Sequence, residues 1–328
     1  MKRPVYIVDA FTAQHFTGNQ AAVCLSEKPF TQEEYQKIAA EFNLSETAFP
    51  RPINVKEGFE KASEFELRWF TPSTEVPLCG HATLATSHVL FNEIKNVNNK
   101  ISFHTKSGVL TVSRAPNGGL QMNFPAYDIT SCQMKHVDDP YRGSFPEFIA
   151  PNFLHELIKC IVPDSVKIRS VAYAAEAKKL IIVVDEETTN FELQSLNPDT
   201  ARMMAVHPEG SFVRGVIVTL APKKPSSQGF LDQEEAAYDY VCRYFAPWVG
   251  IREDPATGSA QCAVGPFWAK VLQKPQLYVL QSYPGRGAQF RVTILNGGRV
   301  SLVGHSVTIV RGEIDLNSTI PSFYEPND

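Results

Sequence analysis

The sequence predicts an α+β chain of two similar domains, each a curled β-sheet wrapped on one buried helix. Three observations predict it: ordered internal matches at a nearly constant offset, a helix in each half that is apolar almost all round, and short strands separated by Gly-rich turns. Arg68-Trp69-Phe70-Thr71-Pro72 is mirrored by Arg243-Tyr244-Phe245-Ala246-Pro247, Cys79-Gly80-His81-Ala82 by Thr257-Gly258-Ser259-Ala260, and Asn117-Gly118-Gly119 by Asn296-Gly297-Gly298. The offsets are 175, 178 and 179 residues. Small loop insertions between two copies of one domain produce such a drift. At 328 residues the chain is also longer than most single cores.

The elements follow in order. Thr31-x-x-Glu34 is a capping box opening an amphipathic helix, with Tyr35, Ile38, Ala39 and Phe42 on one face. That face packs on the first sheet. Phe65, Leu67 and Trp69 mark an alternating strand, as do Tyr240, Cys242 and Tyr244 in the second half. A helix follows each: about His81 to Ile94, then about Ser259 to Val271. Apolar and small residues on every side mean that both are enclosed. Beyond them come Val109 to Ser113 and Val300 to Val303, each beside a Gly-Gly turn. The stretch from Tyr127 to Pro151 reads as the interdomain link and Pro222 to Gln233 as a polar surface loop. The expected domains are therefore 1–126 and 127–312, with the tail at about 313–328 packing on the first.

Composition narrows the function. A formal charge of −4 without a basic stripe disfavours nucleic acid. No apolar run reaches membrane-spanning length, and the N-terminal run stops at Asp9. A cytoplasmic location is expected. Six cysteines without CxxC pairs signal neither a zinc site nor a disulfide framework. Without a secretory route, the glycosylation patterns at Asn43 and Asn317 carry no meaning.

The chemistry concentrates at the two Gly turns. Pro77 to His81 and Asp254 to Ser259 each lead from a loop into a buried helix, whose free N–H groups and dipole favour an anion. One such turn is explained by Gly conformation alone; two at matching places point to a shared cradle for a substrate carboxylate and the charge formed on deprotonation. Glu46 precedes Ala48-Phe49-Pro50, and burial there raises its pKa toward that of a general base, although a solvated Glu at a helix exit fits the same position. His81 suits a substrate hydrogen bond or a satisfied core position. Asp254 suits a second acid/base or a turn before Pro255. Cys79 invites thiolate chemistry at a helix start, but the second turn holds no cysteine, so a two-thiol racemase is disfavoured against a carboxylate base.

Five ordered motifs, from Val8 to Thr12, Phe16 to Val23, Asn43 to Thr47, Leu78 to Thr83 and Glu253 to Ala260, resemble the phenazine biosynthesis F family, in wording its animal branch, within the superfamily of diaminopimelate epimerase and proline racemase. The resemblance implies two diaminopimelate-epimerase-like domains, each a β-barrel around a central helix, with the site between them, a homodimer and no metal or organic cofactor. It implies proton transfer by Glu46 with His81 and Asp254 assisting, and substrate binding by Asp9, Asn19, Gly80, Gly258 and Ser259. The expected activity is isomerisation of a small anionic substrate. A catalytically silent interaction protein is the alternative, and a Cys79 hydrolase ranks below both.

Overall fold

Thr31 opens the first helix as its side chains dictate. Its hydroxyl accepts the Glu34 amide at 3.2 Å, and the Glu34 carboxylate accepts the Thr31 amide at 2.7 Å. A computed structural model describes residues 2–134 and 137–316, and this helix covers Gln32–Phe42. Tyr35, Ile38 and Ala39 pack with Phe49 and Phe70 of the adjoining sheet. Ile314 and Leu316 join that cluster, so the start of the expected tail lies on the N-terminal half; 317–328, including the Asn317 pattern, lie outside the described residues.

Among the described residues, seventeen strands form one mixed sheet. In the first part of the chain are β1 (Lys2–Ala10), β2 (Asn19–Cys24), β3 (Glu46–Pro52), β4 (Glu64–Phe70), β5 (Glu75–Val76), β6 (Lys100–Thr105), β7 (Gly108–Arg114) and β8 (Leu120–Pro125). Then come β9 (Thr130–Cys132), β10 (Ile168–Ala174), β11 (Lys179–Val184), β12 (Gly215–Leu220), β13 (Tyr240–Phe245), β14 (Gln276–Gln281), β15 (Ala288–Leu295), β16 (Arg299–Gly304) and β17 (Ser306–Asp315). The pairings trace one run β17-β1-β2-β3-β4-β6-β7-β8 and another β9-β10-β11-β12-β13-β14-β15-β16. Both runs show the same succession: antiparallel, antiparallel, parallel, antiparallel, parallel, antiparallel, antiparallel. An antiparallel β8–β16 pairing joins them. Among the described residues no pairing closes either run into a barrel.

Each run curls on one helix. Gly80–His88, continued by a π-turn over Val89–Glu93, lies on β1, β2, β3, β8 and β17. Gly258–Val271 lies on β11, β14, β15 and β16. Pro266 inside the second helix has no N–H for the Cys262 carbonyl; Tyr127 N–H takes that carbonyl instead, at 3.0 Å. One core cluster embraces both helices.

Two segments differ from expectation. The 127–151 stretch is more than a link: it contributes β9 and stacks Phe145 on Phe267 at 5.0 Å, because its apolar side chains find cover on the second helix. In β13 every residue is buried rather than every other one. Tyr240, Cys242 and Tyr244 face the central cluster, while Val241 and Phe245 join a second cluster beneath the Leu154–Lys159 helix.

The two strand-to-helix loops are held alike. Arg68 grips Glu75 with two bonds of 2.8 Å, and Arg243 grips Glu253 with two of 2.7 Å. Each guanidinium lies over the Phe two residues on, at 5.1 Å from Phe70 and 5.0 Å from Phe245.

Candidate active site

The two helix starts meet. A methyl group added at Gly80 would lie 3.6 Å from the Gly258 Cα, ordinary van der Waals contact, so the two helix starts stand side by side. Neither N-cap, Cys79 nor Thr257, caps its helix with its side chain. The first-turn amides of both helices are therefore left to one small region, with their positive dipole ends together.

Around that junction the acidic and basic candidates assemble. Asn43 ends its helix in the left-handed region (φ 49°), turning the chain so that Glu46 opens β3 opposite Ala21 of β2. Glu46 is only 6% exposed, and its Oε2 lies 3.0 Å from His81 Nε2. That contact is an ion pair, with no directed hydrogen bond to Oε2. Ser45 Oγ lies 3.1 Å from the same ring nitrogen and donates to the Gln20 carbonyl at 3.0 Å. On the other side of the ring, Nδ1 lies 3.5 Å from Cys79 Sγ and 3.2 Å from Asn19 Nδ2. Asn19 donates onward to Asp254 Oδ1 at 2.7 Å, and Thr257 donates to Asp254 Oδ2 at 2.5 Å. Gln281 braces the loop through the Asp254 carbonyl and the Thr257 amide. A continuous polar chain thus runs from Glu46 to Asp254 through His81 and Asn19.

The electrostatics correct one expectation. Burial is the largest single effect on the Glu46 carboxyl and pushes it up, but the His81 ring with the neighbouring Ser45 and Cys79 side chains together outweigh it, so the net direction is down. For His81, burial pushes down while the facing Cys79 and Glu46 push up, and the ring ends well above its usual value. The pair titrates as a unit with its proton on the imidazole and the carboxylate free to accept one. Asp254 moves the other way, to about 6, because burial dominates over the His81 charge and the Thr257 hydrogen bond. Burial and the negative Glu46 push the Cys79 thiol up, which favours the thiol and not the thiolate.

The raised Asp254 carboxyl has a stability consequence. Its stabilising contribution is full below the unfolded value near 3.8 and is lost as pH rises through about 6. A two-unit shift corresponds to about 3 kcal/mol. The expected result is that Asp254→Asn gains on the wild type by up to that amount between pH 4 and 7, measured as the pH dependence of the difference in denaturant unfolding free energy. A pH-independent difference refutes it.

Of the other expected substrate-binding residues, Gly80, Gly258 and Ser259 are at the helix tips, where Gly80 and Ser259 keep partial exposure. Asn19 is within the polar chain. Asp9 is placed elsewhere: its oxygens accept from Arg286 at 2.8 Å and from the Phe16 amide at 2.7 Å, which commits the fully buried carboxylate to holding the 11–18 loop. Arg286 also donates to the Thr17 and Gly18 carbonyls. Ser45, Thr257 and Gln281 are site residues that motif reading left out; the first two stand inside the quoted motifs, while Gln281 carries no sequence signal beyond being a polar residue at the end of a strand.

Gly18 sets Asn19. Its φ is +66°, and a Cβ there would come within 2.2 Å of the Ala10 carbonyl oxygen. Left-handed strain of about 1–2 kcal/mol adds to that backbone collision. Gly18→Ala is expected to lose more than about 2 kcal/mol in chemical denaturation.

The comparisons agree with this architecture. The family model described as phenazine biosynthesis-like protein matches residues 8–312. The mouse phenazine biosynthesis-like domain-containing protein 1 is 38% identical over 314 residues, spanning 96% of this chain and 99% of that one. A Halalkalibacterium halodurans protein named an uncharacterized isomerase is 36% identical over 318 residues, spanning 96% and 100%. The crystal structure of an Enterococcus faecalis protein of the PhzF family superposes with a TM-score of 0.75 at 29% identity, covering 96% of this chain and all of that one. Among the described residues no helix is long and apolar enough to cross a membrane. With the match running through nearly the whole chain and the two helix tips enclosing its motifs, this protein belongs to the phenazine biosynthesis-like family.

Proposed function

We propose that the protein is a cofactor-independent isomerase that moves a proton between carbons of a small carboxylate. The observation that carries the reading is the buried chain Glu46–His81–Asn19–Asp254 laid across two converging helix starts. Relatives named as isomerases support it. In this reading the Glu46 carboxylate takes a proton from a carbon next to the substrate carboxyl, and the C–H electron pair moves into an enolate-like system. The first-turn amides at Gly80 and Gly258 meet the growing oxygen charge. Asp254, protonated below about pH 6, or Glu46 itself returns the proton to a second carbon, so that atoms and charge balance.

Glu46, His81, Asn19 and Asp254 are each less than 10% exposed, so substrate entry requires the two halves to part. The contacts that must yield include Asn19 to Asp254, Gly18 N–H to the Gly287 carbonyl at 2.7 Å, and Asp9 to Arg286. The repeated strand succession and the Arg68 and Arg243 grips support reading 1–126 and 127–312 as two copies of one barrel-like domain. A homodimer in the cytoplasm is the proposed setting, from the family resemblance.

A thermal-shift screen of small carboxylates followed by deuterium incorporation from heavy water tests the activity. Incorporation into a bound compound is the expected result. Tight binding without incorporation would make the chain a silent binder and overturn the proposal.

A further inference from the structure

We infer that a cavity beside the catalytic junction is a second binding site, for an uncharged polyhydroxylated molecule of hexose size, and that its occupant ties the two halves together. The cavity measures about 320 Å³, at the lower end of the range of about 300–1,000 Å³ found for small-molecule sites. It lies between the halves. Thr12, Gln14 and Thr17 line it from the 11–18 loop, and Asn190, Gln194 and Gln289 from the other side. Glu46, His81 and Asp254 are not in its walls.

The charged groups of the cavity already have partners. Arg286 is committed to the Asp9 carboxylate and to the Thr17 and Gly18 carbonyls. Asp232 accepts the Glu234 and Ala236 amides and the Tyr278 hydroxyl. An ion entering here gives up its hydration for charges that are spent, whereas a hydroxyl group loses much less.

The neutral groups are held in fixed directions. The Ser282 hydroxyl, 2% exposed, donates to Asn190 Oδ1 at 2.9 Å and accepts from Gln194 Nε2 at 3.1 Å. That uses the acceptor of one amide and the donor of the other. Asn190 is left with N–H groups and Gln194 with an oxygen, one turn apart on the Asn190–Ser195 helix. Gln289 spends its Nε2 on the Tyr238 hydroxyl at 2.6 Å, which likewise leaves an oxygen. Asn190 Nδ2, Arg286 Nη1, Gln194 Oε1 and Gln289 Oε1 have no hydrogen-bond partner among the described residues. Two donors and two acceptors suit hydroxyl groups, each of which donates and accepts. Leu280 and Tyr283 add apolar surface for the carbons.

Occupancy acts on closure. Arg286 and Gly287 stand in the cavity wall, and their bonds to Asp9 and Gly18 are among those that yield when the halves part. A molecule held from both sides binds the closed form better and so shifts the population toward it. This effect rests on the proposed opening of the catalytic junction; binding does not.

Calorimetric titration of the full chain with glucose, ribose and myo-inositol, without any carboxylate ligand, tests the site. Glucose 6-phosphate is the charged comparison. At least one uncharged compound is expected to bind once per chain, and more tightly than the phosphate. Asn190→Ala and Gln194→Ala should each weaken it about tenfold, and Glu46→Gln should leave it unchanged. Amide hydrogen exchange at residues 11–18 should slow on binding, and circular dichroism confirms that each variant is folded. No binding by the three compounds, tighter binding of the phosphate, or wild-type affinity in a folded Gln194→Ala overturns the inference. So does a loss of binding in Glu46→Gln, which would put the compound at the catalytic junction, or exchange at 11–18 that binding leaves unchanged. Deuterium incorporation into a carboxylate is read separately, so this inference and the isomerase reading fail by different results.

Discussion

Glu46→Gln is expected to stop solvent deuterium exchange into a bound carboxylate while leaving the fold and ligand binding in place. Removing a positioned general base typically costs about 10²–10⁴ in rate, which is roughly 3–5 kcal/mol of barrier. The amide keeps the shape of the side chain but accepts no proton. With the carboxylate gone, the His81 ring loses a charge that holds its pKa up, and burial then favours its neutral form. The variant thus sheds a buried charge instead of stranding one. Exchange at the wild-type rate in a folded Glu46→Gln, measured by mass spectrometry of the ligand, removes Glu46 from the mechanism.

The largest expected loss of stability follows Arg243→Met. Arg243 is 3% exposed, binds both Glu253 oxygens, and donates Nη1 to the carbonyls of Leu193, Gln194 and Leu196. Methionine leaves those carbonyls and a largely buried carboxylate without partners. Breaking such a pair costs about 3–5 kcal/mol. Arg68→Met, at the matching place in the first half, should cost less, because the Arg68 side chain is 29% exposed and Lys106 still pairs with the Glu75 carboxylate, itself only 8% exposed. Chemical denaturation of the two variants compares them directly. Adding Glu253→Gln to Arg243→Met should recover part of the loss, since the uncompensated charge is gone. Equal costs at the two positions would contradict the burial argument.

Both predictions draw on features of differing visibility in the sequence. The Arg68 and Arg243 match was legible as a repeat, and the helices at Gly80 and Gly258 as apolar segments behind Gly turns. The Thr31 cap was legible because its partners lie three residues apart. The barrel closure implied by the resemblance is not present as hydrogen bonding among the described residues. Asp9 sits in a motif, which marked it for the substrate, yet Arg286 claims it from 277 positions along the chain. No local pattern encodes that encounter.

The amino-acid order alone determined the periodic and adjacent features: caps, apolar helix faces, Gly turns, and the ordered internal matches. Those depend on covalent neighbours and on short-range sterics. The tertiary structure decided the protonation of the site. A carboxyl group expected to be raised by burial is lowered, because an imidazole from another element at 3.0 Å, together with Ser45 and Cys79, outweighs the burial, and Asp254, which lacks a direct cationic partner, is raised instead. Coulomb energy falls with distance through space and takes no account of separation along the chain, so only the folded arrangement fixes which acid holds its proton.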